Sequence, residues 1–155
     1  MGMFSPRNWC VSGGASGGSR RTPVLAWLRL LRVASRVESA AGERLRGWGL
    51  NNAQFDVLAH VGAAEGITQQ ELADTLLVTK GNVAQLLARM EERGWILRQR
   101  EGRTNKVLLT DRGWRLFKEV VPAHEAFISD RLSVLSHVEQ RELHRLLRKL
   151  DRSLD

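Results

Sequence analysis

Side chains that can hydrogen-bond to flat polar surfaces recur at helical spacing in the middle of the chain. Asn82, Gln85 and Arg89 fall on one side of a helix that follows Thr79. Apolar residues at steps of three and four, from Val83 to Met90, fall on the opposite side and predict a buried stripe. Asn and Gln amides match the donor and acceptor pair of adenine in the major groove of DNA, and Arg pairs with guanine or phosphate. The alternative is an ordinary solvated face, which this polar pattern alone would favour.

The start of the same helix is suited to an anion. Thr79 and Lys80 lie at its positive end, where a backbone phosphate binds favourably, and Gly81 allows the backbone to come close. We therefore predict DNA contacts from six residues, which are Thr79, Lys80, Gly81, Asn82, Gln85 and Arg89.

A short basic hairpin is predicted next. Apolar and polar residues alternate from Trp95 to Arg100 and again from Val107 to Leu109, with turn-forming residues at 102–105 between them. Residues 94–113 carry five cationic side chains against two acidic ones. An arginine on such a wing can enter the minor groove, where narrow A·T tracts concentrate negative potential. The alternative is a turn that charge merely keeps solvated. The predicted wing contacts are Arg98, Arg100, Arg103 and Lys106.

Capping signals place these features in a winged helix-turn-helix. Thr68 and Glu71 form a capping box that starts a short helix, and Thr79 caps the longer helix that ends before Gly94. Two capped helices joined by residues 77–78 make a helix-turn-helix, and the hairpin behind them is the wing.

Further signals set the flanking helices. Asn51 or Asn52 caps the preceding helix, with Gln54 completing a capping box for Asn51. After the hairpin, Thr110 caps a helix in which Pro122 predicts a kink or a break. A third capping box, Ser136 with Glu139, opens the last helix. The expected fold is mainly α with a small β-wing, in the order of four helices, hairpin and two helices.

The outermost helices carry more apolar surface than one small winged domain can bury. One stripe runs from Trp27 to Trp48, and a leucine-rich stripe runs from Leu143 to Leu154. We predict N- and C-terminal dimerisation helices at about 23–48 and 111–154, around a winged core at about 51–113. Packing within one subunit is the alternative for the first helix. Residues 1–22 are predicted to be a flexible tail, because residues 12–19 are Gly and Ser with one Ala. Cys10 lies in this tail, so we expect it to have no role in the function.

Composition narrows the function classes. The 155 residues suit one domain, and a net charge of +7 favours a polyanionic partner, either nucleic acid or an anionic membrane surface. A single cysteine excludes a disulfide framework and suits a cytoplasmic location. The sequence has no apolar run long enough for a membrane helix, no secretory signal, no metal-ligand spacing of histidines and no nucleophile or phosphate-loop motif. We therefore expect no metal, no cofactor and no enzyme activity.

Three stretches resemble the MarR (multiple antibiotic resistance regulator) family of bacterial transcription regulators. Residues 52–61 (NAQFDVLAHV) are similar to its second helix, and residues 68–94 (TQQELADTLLVTKGNVAQLLARMEERG) to its helix-turn-helix. Residues 101–113 (EGRTNKVLLTDRG) are similar to its wing pattern of Asp-x-Arg, five residues, Leu-Thr, two residues and Gly. Glu101 replaces the Asp, and the wing is shorter than usual before it, so Arg103 would reach the minor groove less deeply or contact only its phosphates.

The resemblance, which covers about residues 23–154, implies a homodimer whose first and last helices interlock. It also implies a pseudo-palindromic operator with half-sites about one DNA turn apart, and most often repression. Residues 23–155 would form the MarR-type domain. Family members often respond to small aromatic or anionic ligands between the dimer helices and the DNA-binding lobe. Candidates for that pocket, which could equally be core residues, are Trp27, Arg32, Asp56, His60, Trp114 and Phe117.

Two other function classes remain as alternatives to a DNA-binding regulator. A winged helix can be the scaffold of a non-enzymatic protein-interaction module, although the charge of the wing argues against it. A peripheral membrane protein would use the basic side formed by Arg29, Arg32 and Arg36. Leu30 and Val33 are poor neighbours for such an amphipathic insertion, so we favour the regulator.

Overall fold

The computed structural model describes residues 18–76 and 80–154, with side-chain surroundings for 21–76 and 81–154. Its helices and strands follow the expected order. They are α1 (Gly18–Leu45), a 3-10 turn (Arg46–Trp48), α2 (Asn52–Ala63), α3 (Gln69–Thr75), α4 (Lys80–Glu92), β1 (Ile96–Glu101), β2 (Thr104–Leu109), α5 (Asp111–Leu132) and α6 (His137–Asp151). The expected mainly α fold with a small β-wing is confirmed. Within the described ranges, no helix is long and apolar enough to cross a membrane.

Helix α1 crosses the boundary between two compact units, of which the first ends at Arg36 and the second begins at Val37. It begins at Gly18, ahead of the expected start at Pro23. Pro23 lies inside the helix. Because proline has no backbone N–H, the hydrogen bond to the carbonyl of Ser19 is missing, yet the helix continues. Among the described side chains of the first unit, Trp27 and Leu31 of the predicted stripe are exposed, whereas the neighbouring Leu30 is half-buried.

Side-chain caps start four helices as the sequence predicts. Asn51, Thr68 and Ser136 each accept a hydrogen bond from the backbone N–H three residues on, and Gln54, Glu71 and Glu139 return the capping-box bond. Thr110 caps α5. Each such cap stabilises its helix by about 1 kcal/mol. The predicted cap of α4, Thr79, lies outside the described residues.

The core of the second unit joins the helix-turn-helix to the wing and to α5. The predicted stripe of α4 is buried at Val83, Leu87 and Met90, whereas Leu86 is half-buried. Its partners, each at most 2% exposed, are Val57, Leu58 and Val61 of α2, Leu72 of α3, Ile96 and Val107 of the hairpin and Val120 of α5. Burying such a side chain contributes about 1.5–3 kcal/mol, so this cluster fixes how α4 presents its opposite face.

The wing is an antiparallel hairpin with a two-residue loop. Glu101 pairs with Thr104, so only Gly102 and Arg103 form the loop, and Gly102 has the left-handed φ of 60° that such loops need. The expected turn over residues 102–105 is too long, because Thr104 and Asn105 belong to β2. The N–H of Val107 also donates to the carbonyl of Ile67 at 2.9 Å, which ties the wing to the start of α3.

The junction between the wing and α5 explains part of the motif in residues 101–113. The Thr110 hydroxyl donates to the carbonyl of Gly94 at 2.6 Å and accepts from the N–H of Gly113 at 3.0 Å. A Cβ on Gly113 would lie 1.9 Å from the carbonyl oxygen of Trp95. Thr110 and Gly113 are therefore required by the packing of α5 against the end of α4.

Helix α5 passes through Pro122 without ending. The break that Pro122 predicts as one outcome does not occur, because α5 continues to Leu132. Val120 and Phe127, both buried, pack the helix on either side of the proline and offset the one lost backbone hydrogen bond.

Candidate nucleic-acid interface

The polar side of α4 faces solvent opposite its buried stripe. Gly81, Asn82, Gln85 and Arg89 are all exposed. They cover more than two turns of one rigid helix, so a groove that admits α4 would meet them together. Thr79 and the side chain of Lys80, the other two predicted contacts of this helix, lie outside the described side chains.

The wing carries its cations in different environments. Arg103 stands exposed in the loop. Arg100 is exposed on β1, and its Nε donates to the carbonyl of Gly102 at 3.3 Å. Lys106 is half-buried and forms an ion pair with Glu101 across the strands. The tip of the wing therefore offers Arg103 and Arg100 to a ligand, whereas the charge of Lys106 is partly compensated.

Arg98 is not a free cation of the wing. Its Nε and Nη2 lie 3.0 and 2.7 Å from Oε2 of Glu91 on α4, and its backbone N–H donates to Oε1 of the same carboxylate at 3.0 Å. These hydrogen bonds lower the pKa of Glu91, so the carboxylate stays ionised at neutral pH. The guanidinium predicted as a DNA contact is thus committed to joining β1 to α4.

The structure reveals two grooves that the sequence patterns did not predict. One, of about 200 Å³, lies between the start of α3 and the wing tip and is lined by Thr68, Gln69, Gln70, Arg103, Thr104 and Asn105. The other, of about 600 Å³, lies where α4 ends and is lined by Arg46, Gly49, Leu50, Asn51, Gln54, Arg89, Glu92 and Arg93. A sequence signal for the second existed, because Arg93, just past the end of α4, follows Arg89 at the spacing of one helical turn.

The six residues proposed for a ligand pocket fall in both units. Trp27 and Arg32 are exposed on the part of α1 that belongs to the first unit. In the second unit, Trp114 and Phe117 meet edge to face at 5.3 Å, and Phe117 packs where a Cβ on Gly62 would lie 2.3 Å from its ring. None of the six lines either of the two grooves just described.

Asp56 and His60, the remaining two candidates, lie in a cluster of titratable groups. Partial burial raises the pKa of Asp56, and nearby His60 counters this effect. His124 of α5 stacks on Phe55 with ring centroids 4.1 Å apart, and burial lowers its pKa although Asp56 raises it. Within the described residues, no group of three or more His, Cys, Asp or Glu side chains is arranged to hold a metal ion.

Comparison with known proteins identifies this architecture. A family model described as the MarR family matches residues 48–104. An uncharacterized HTH-type transcriptional regulator of Bacillus cereus is 35% identical over 127 residues, which cover 81% of this chain and 86% of the relative. The chain belongs to the MarR family.

Two further similarities agree with this membership. The transcriptional repressor MprA of Escherichia coli is 27% identical over 130 residues, covering 81% of this chain and 74% of the repressor. A crystal structure of an S. aureus MepR–DNA complex superposes with a TM-score of 0.76 at 24% identity, covering 83% of this chain and 98% of that one. MarR-family proteins are transcription regulators, and the exposed side of α4 and the basic wing are the candidate DNA surfaces of this chain.

Proposed function

We propose that this MarR-family regulator is a homodimeric repressor that binds a pseudo-palindromic operator in double-stranded DNA. One observation carries the proposal. The side of α4 that bears Asn82, Gln85 and Arg89 is exposed, while its other side is locked into the core beside a basic wing. Rigid presentation of amide and guanidinium groups is what direct reading of base edges requires. A neighbour of the same fold, MepR, has been crystallised with DNA, and a relative, MprA, is named a repressor.

The proposed contacts divide into readers and anchors. Asn82 and Gln85 would hydrogen-bond to base edges, and Arg89 would pair with guanine or with phosphate. Thr79, Lys80 and Gly81 would hold a phosphate at the start of α4. On the wing, Arg103 and Arg100 would lie against the adjacent minor groove or its phosphates, and Lys106 would add a weaker contact. Arg98 would act indirectly, because Glu91 holds it.

The dimer would be formed by the outer helices, about 23–48 and 111–154. Helix α6 has no buried residue among those described, and its leucines at 143, 146, 147 and 150 are 37–48% exposed. A leucine stripe of this length is normally covered, and a second copy of the same helix provides a matching surface. Two-fold symmetry would then place two α4 helices about one DNA turn apart.

The remaining parts of the proposal concern regulation and cellular role. A small aromatic or anionic effector would bind near Trp27, Arg32, Asp56, His60, Trp114 and Phe117 and change the affinity for the operator. The protein would act without catalysis and without a cofactor, in the cytoplasm. Residues 23–155 would be the functional domain, and the described residues ahead of it, 18–22, belong to α1.

Footprinting on the DNA upstream of its own coding sequence, followed by fluorescence anisotropy on the protected duplex, tests the proposal. We expect Gln85→Ala to weaken binding to that duplex by about 1–3 kcal/mol and to leave binding to random duplex almost unchanged. Gln99→Ala, which removes an exposed glutamine of β1 outside the proposed set, is the matched control. Equal losses on both duplexes would show that Gln85 reads no base, and no salt-dependent binding at all would reject the function.

A further inference from the structure

The groove at the end of α4, which we call the Arg93 groove, concentrates positive charge beside the polar side of that helix. Three guanidinium groups line it, from Arg46 in the 3-10 turn and from Arg89 and Arg93. Glu92 is the one carboxylate among its lining residues. In the described part of the chain, neither Arg89 nor Arg93 forms an ion pair, and Arg46 reaches only Glu43, at 4.0 Å between two exposed side chains. The groove therefore keeps a net positive charge that its own residues do not neutralise.

Arg93 is held in place before any ligand arrives. Its Nη1 donates to the carbonyl of Gly49 at 2.9 Å, and its guanidinium stacks over the buried ring of Trp95 at 4.9 Å. Gly49 has a φ of 72°, and a Cβ there would lie 3.4 Å from Nη1 of Arg93. A guanidinium has five N–H donors, so most of them stay available after the bond to Gly49. Binding an anion here costs little further side-chain entropy, because the arginine is already ordered.

Gln54 adds a neutral donor to the same groove. The residue is only 7% exposed, and its Oε1 accepts the N–H of Asn51 at 3.0 Å in the capping box. Within the described residues, its Nε2 donates to no acceptor. This nitrogen is not fully enclosed by protein atoms. The amide nitrogen thus retains contact with the groove. A nearly buried side chain with an unused donor beside three guanidinium groups fits a ligand that carries acceptor oxygens and negative charge.

We propose that the Arg93 groove binds a backbone phosphate of the operator DNA, next to the segment that the polar side of α4 reads. Arg93 continues the row of Gln85 and Arg89 by one turn, so a duplex that follows α4 passes the groove. Arg46 and Arg93 hold the phosphate by charge and hydrogen bonds, and Gln54 donates to one of its oxygens. The inference rests on the proposed function, since DNA must lie along α4, but it adds residues from the 3-10 turn and α2 to the interface.

The salt dependence of binding tests the site, because each phosphate contact contributes about 0.9 to the slope of log K against log[salt]. We expect Arg46→Gln to lower that slope by about one contact and to weaken operator and random duplex by the same factor. Arg93→Gln should do the same, whereas Arg93→Lys should retain most of the slope because it keeps the charge. Arg141→Gln, which removes an exposed arginine of α6, is the control and should leave the slope unchanged.

The outcomes separate the two proposals. If wild-type protein binds its operator but Arg46→Gln and Arg93→Gln keep the wild-type slope of log K against log[salt], the groove holds no phosphate and the inference is wrong. Arg93 would then only brace Gly49 and Trp95. If wild-type protein shows no salt-dependent DNA binding, the proposed function fails, and this site fails with it. Because Arg93 also braces Gly49 and Trp95, thermal unfolding of each variant is measured alongside. Where Arg93→Gln unfolds, Arg46→Gln decides, since Arg46 is exposed and braces nothing comparable.

Discussion

The carboxylate of Glu91 on α4 accepts three hydrogen bonds from Arg98 on β1, two from the guanidinium and one from the backbone N–H. This pairing ties the first strand of the wing to the helix that carries the proposed base contacts. The two side chains are 30% and 38% exposed, so the pair adds little to global stability. Its main effect is on geometry, because the wing touches α4 at the root of the hairpin, where a small rotation moves the tip furthest.

Glu91→Gln should therefore weaken DNA binding without unfolding the protein. The neutral amide loses the charge-assisted bonds to Arg98, so the wing becomes more mobile and its phosphate contacts weaken. We expect the melting temperature to change by no more than a few degrees while operator affinity falls by about tenfold, measured by anisotropy. Glu142→Gln weakens the bidentate pair of that carboxylate with Arg145 on α6, far from the wing in sequence, and should leave affinity unchanged. A similar loss of affinity in both variants would remove the special role of the wing pair.

Gly113→Ala should be strongly destabilising. The new Cβ would lie 1.9 Å from the carbonyl oxygen of Trp95, which is backbone and cannot move aside cheaply. Either α5 shifts or the Thr110 cap is lost, and overpacking of this kind costs about 1–3 kcal/mol or more. Urea unfolding of the wild type and the variant measures the cost directly. A loss below about 0.5 kcal/mol would mean that α5 does not sit against Trp95 as described.

Gly81→Ala, unlike Gly113→Ala, should affect DNA binding rather than stability. Within the described side chains, nothing lies within 4 Å of a Cβ at this position, and alanine is the better helix former by about 1 kcal/mol. We expect equal or higher stability together with weaker operator binding, because the added methyl group keeps the start of α4 away from the phosphate backbone. Unfolding curves and anisotropy on the same preparation check both halves. Unchanged affinity would show that the backbone at Gly81 does not approach DNA closely.

Local chemistry explains which parts of this molecule could be predicted from its sequence. The caps at Asn51, Thr68 and Ser136 depend on residues three positions apart, so the sequence contains all the information for them. The buried stripe of α4 follows from helical periodicity in the same way. Helix limits at prolines were less predictable, because packing on both sides of Pro122 outweighs one missing hydrogen bond.

The candidate DNA surface was harder to predict because the contacts that hold its side chains join different elements of the fold. Arg98 counts as a free cation in any tally of charge, yet its partner Glu91 lies across the junction from helix to strand. The bond from Arg93 to the carbonyl of Gly49 spans 44 positions, and no periodic pattern encodes it. Charge and residue type thus predict a candidate surface, whereas only the fold shows which of its arginines are already paired.

Leu150→Glu should dissociate the proposed dimer. Leu150 is 47% exposed within one chain and belongs to the leucine stripe of α6, so a charge there would be buried twice in a symmetric interface. Losing two leucine contacts raises the dissociation constant on the order of a hundredfold, as measured by sedimentation at several concentrations. Arg148→Glu changes charge on the opposite side of α6 and should leave the dimer intact. A monomeric wild-type protein at micromolar concentration would contradict the dimer directly.

The pH dependence of stability should be traceable to His124. Burial lowers its pKa in the folded state from the ordinary value of 6.5, so the unfolded chain binds the proton more readily. Above pH 6.5 this histidine is neutral in both states and does not change the free energy of unfolding with pH. As the pH falls from 6.5 towards the folded-state pKa, the unfolded chain takes up the proton first, and the free energy of unfolding falls. His124→Phe keeps an aromatic ring stacked on Phe55 and has no group to protonate, so its unfolding free energy should fall less between pH 7 and pH 5 than that of the wild type. His144→Phe, at an exposed position on α6, is the control. Equal slopes for wild type and His124→Phe would show that His124 is protonated alike in both states.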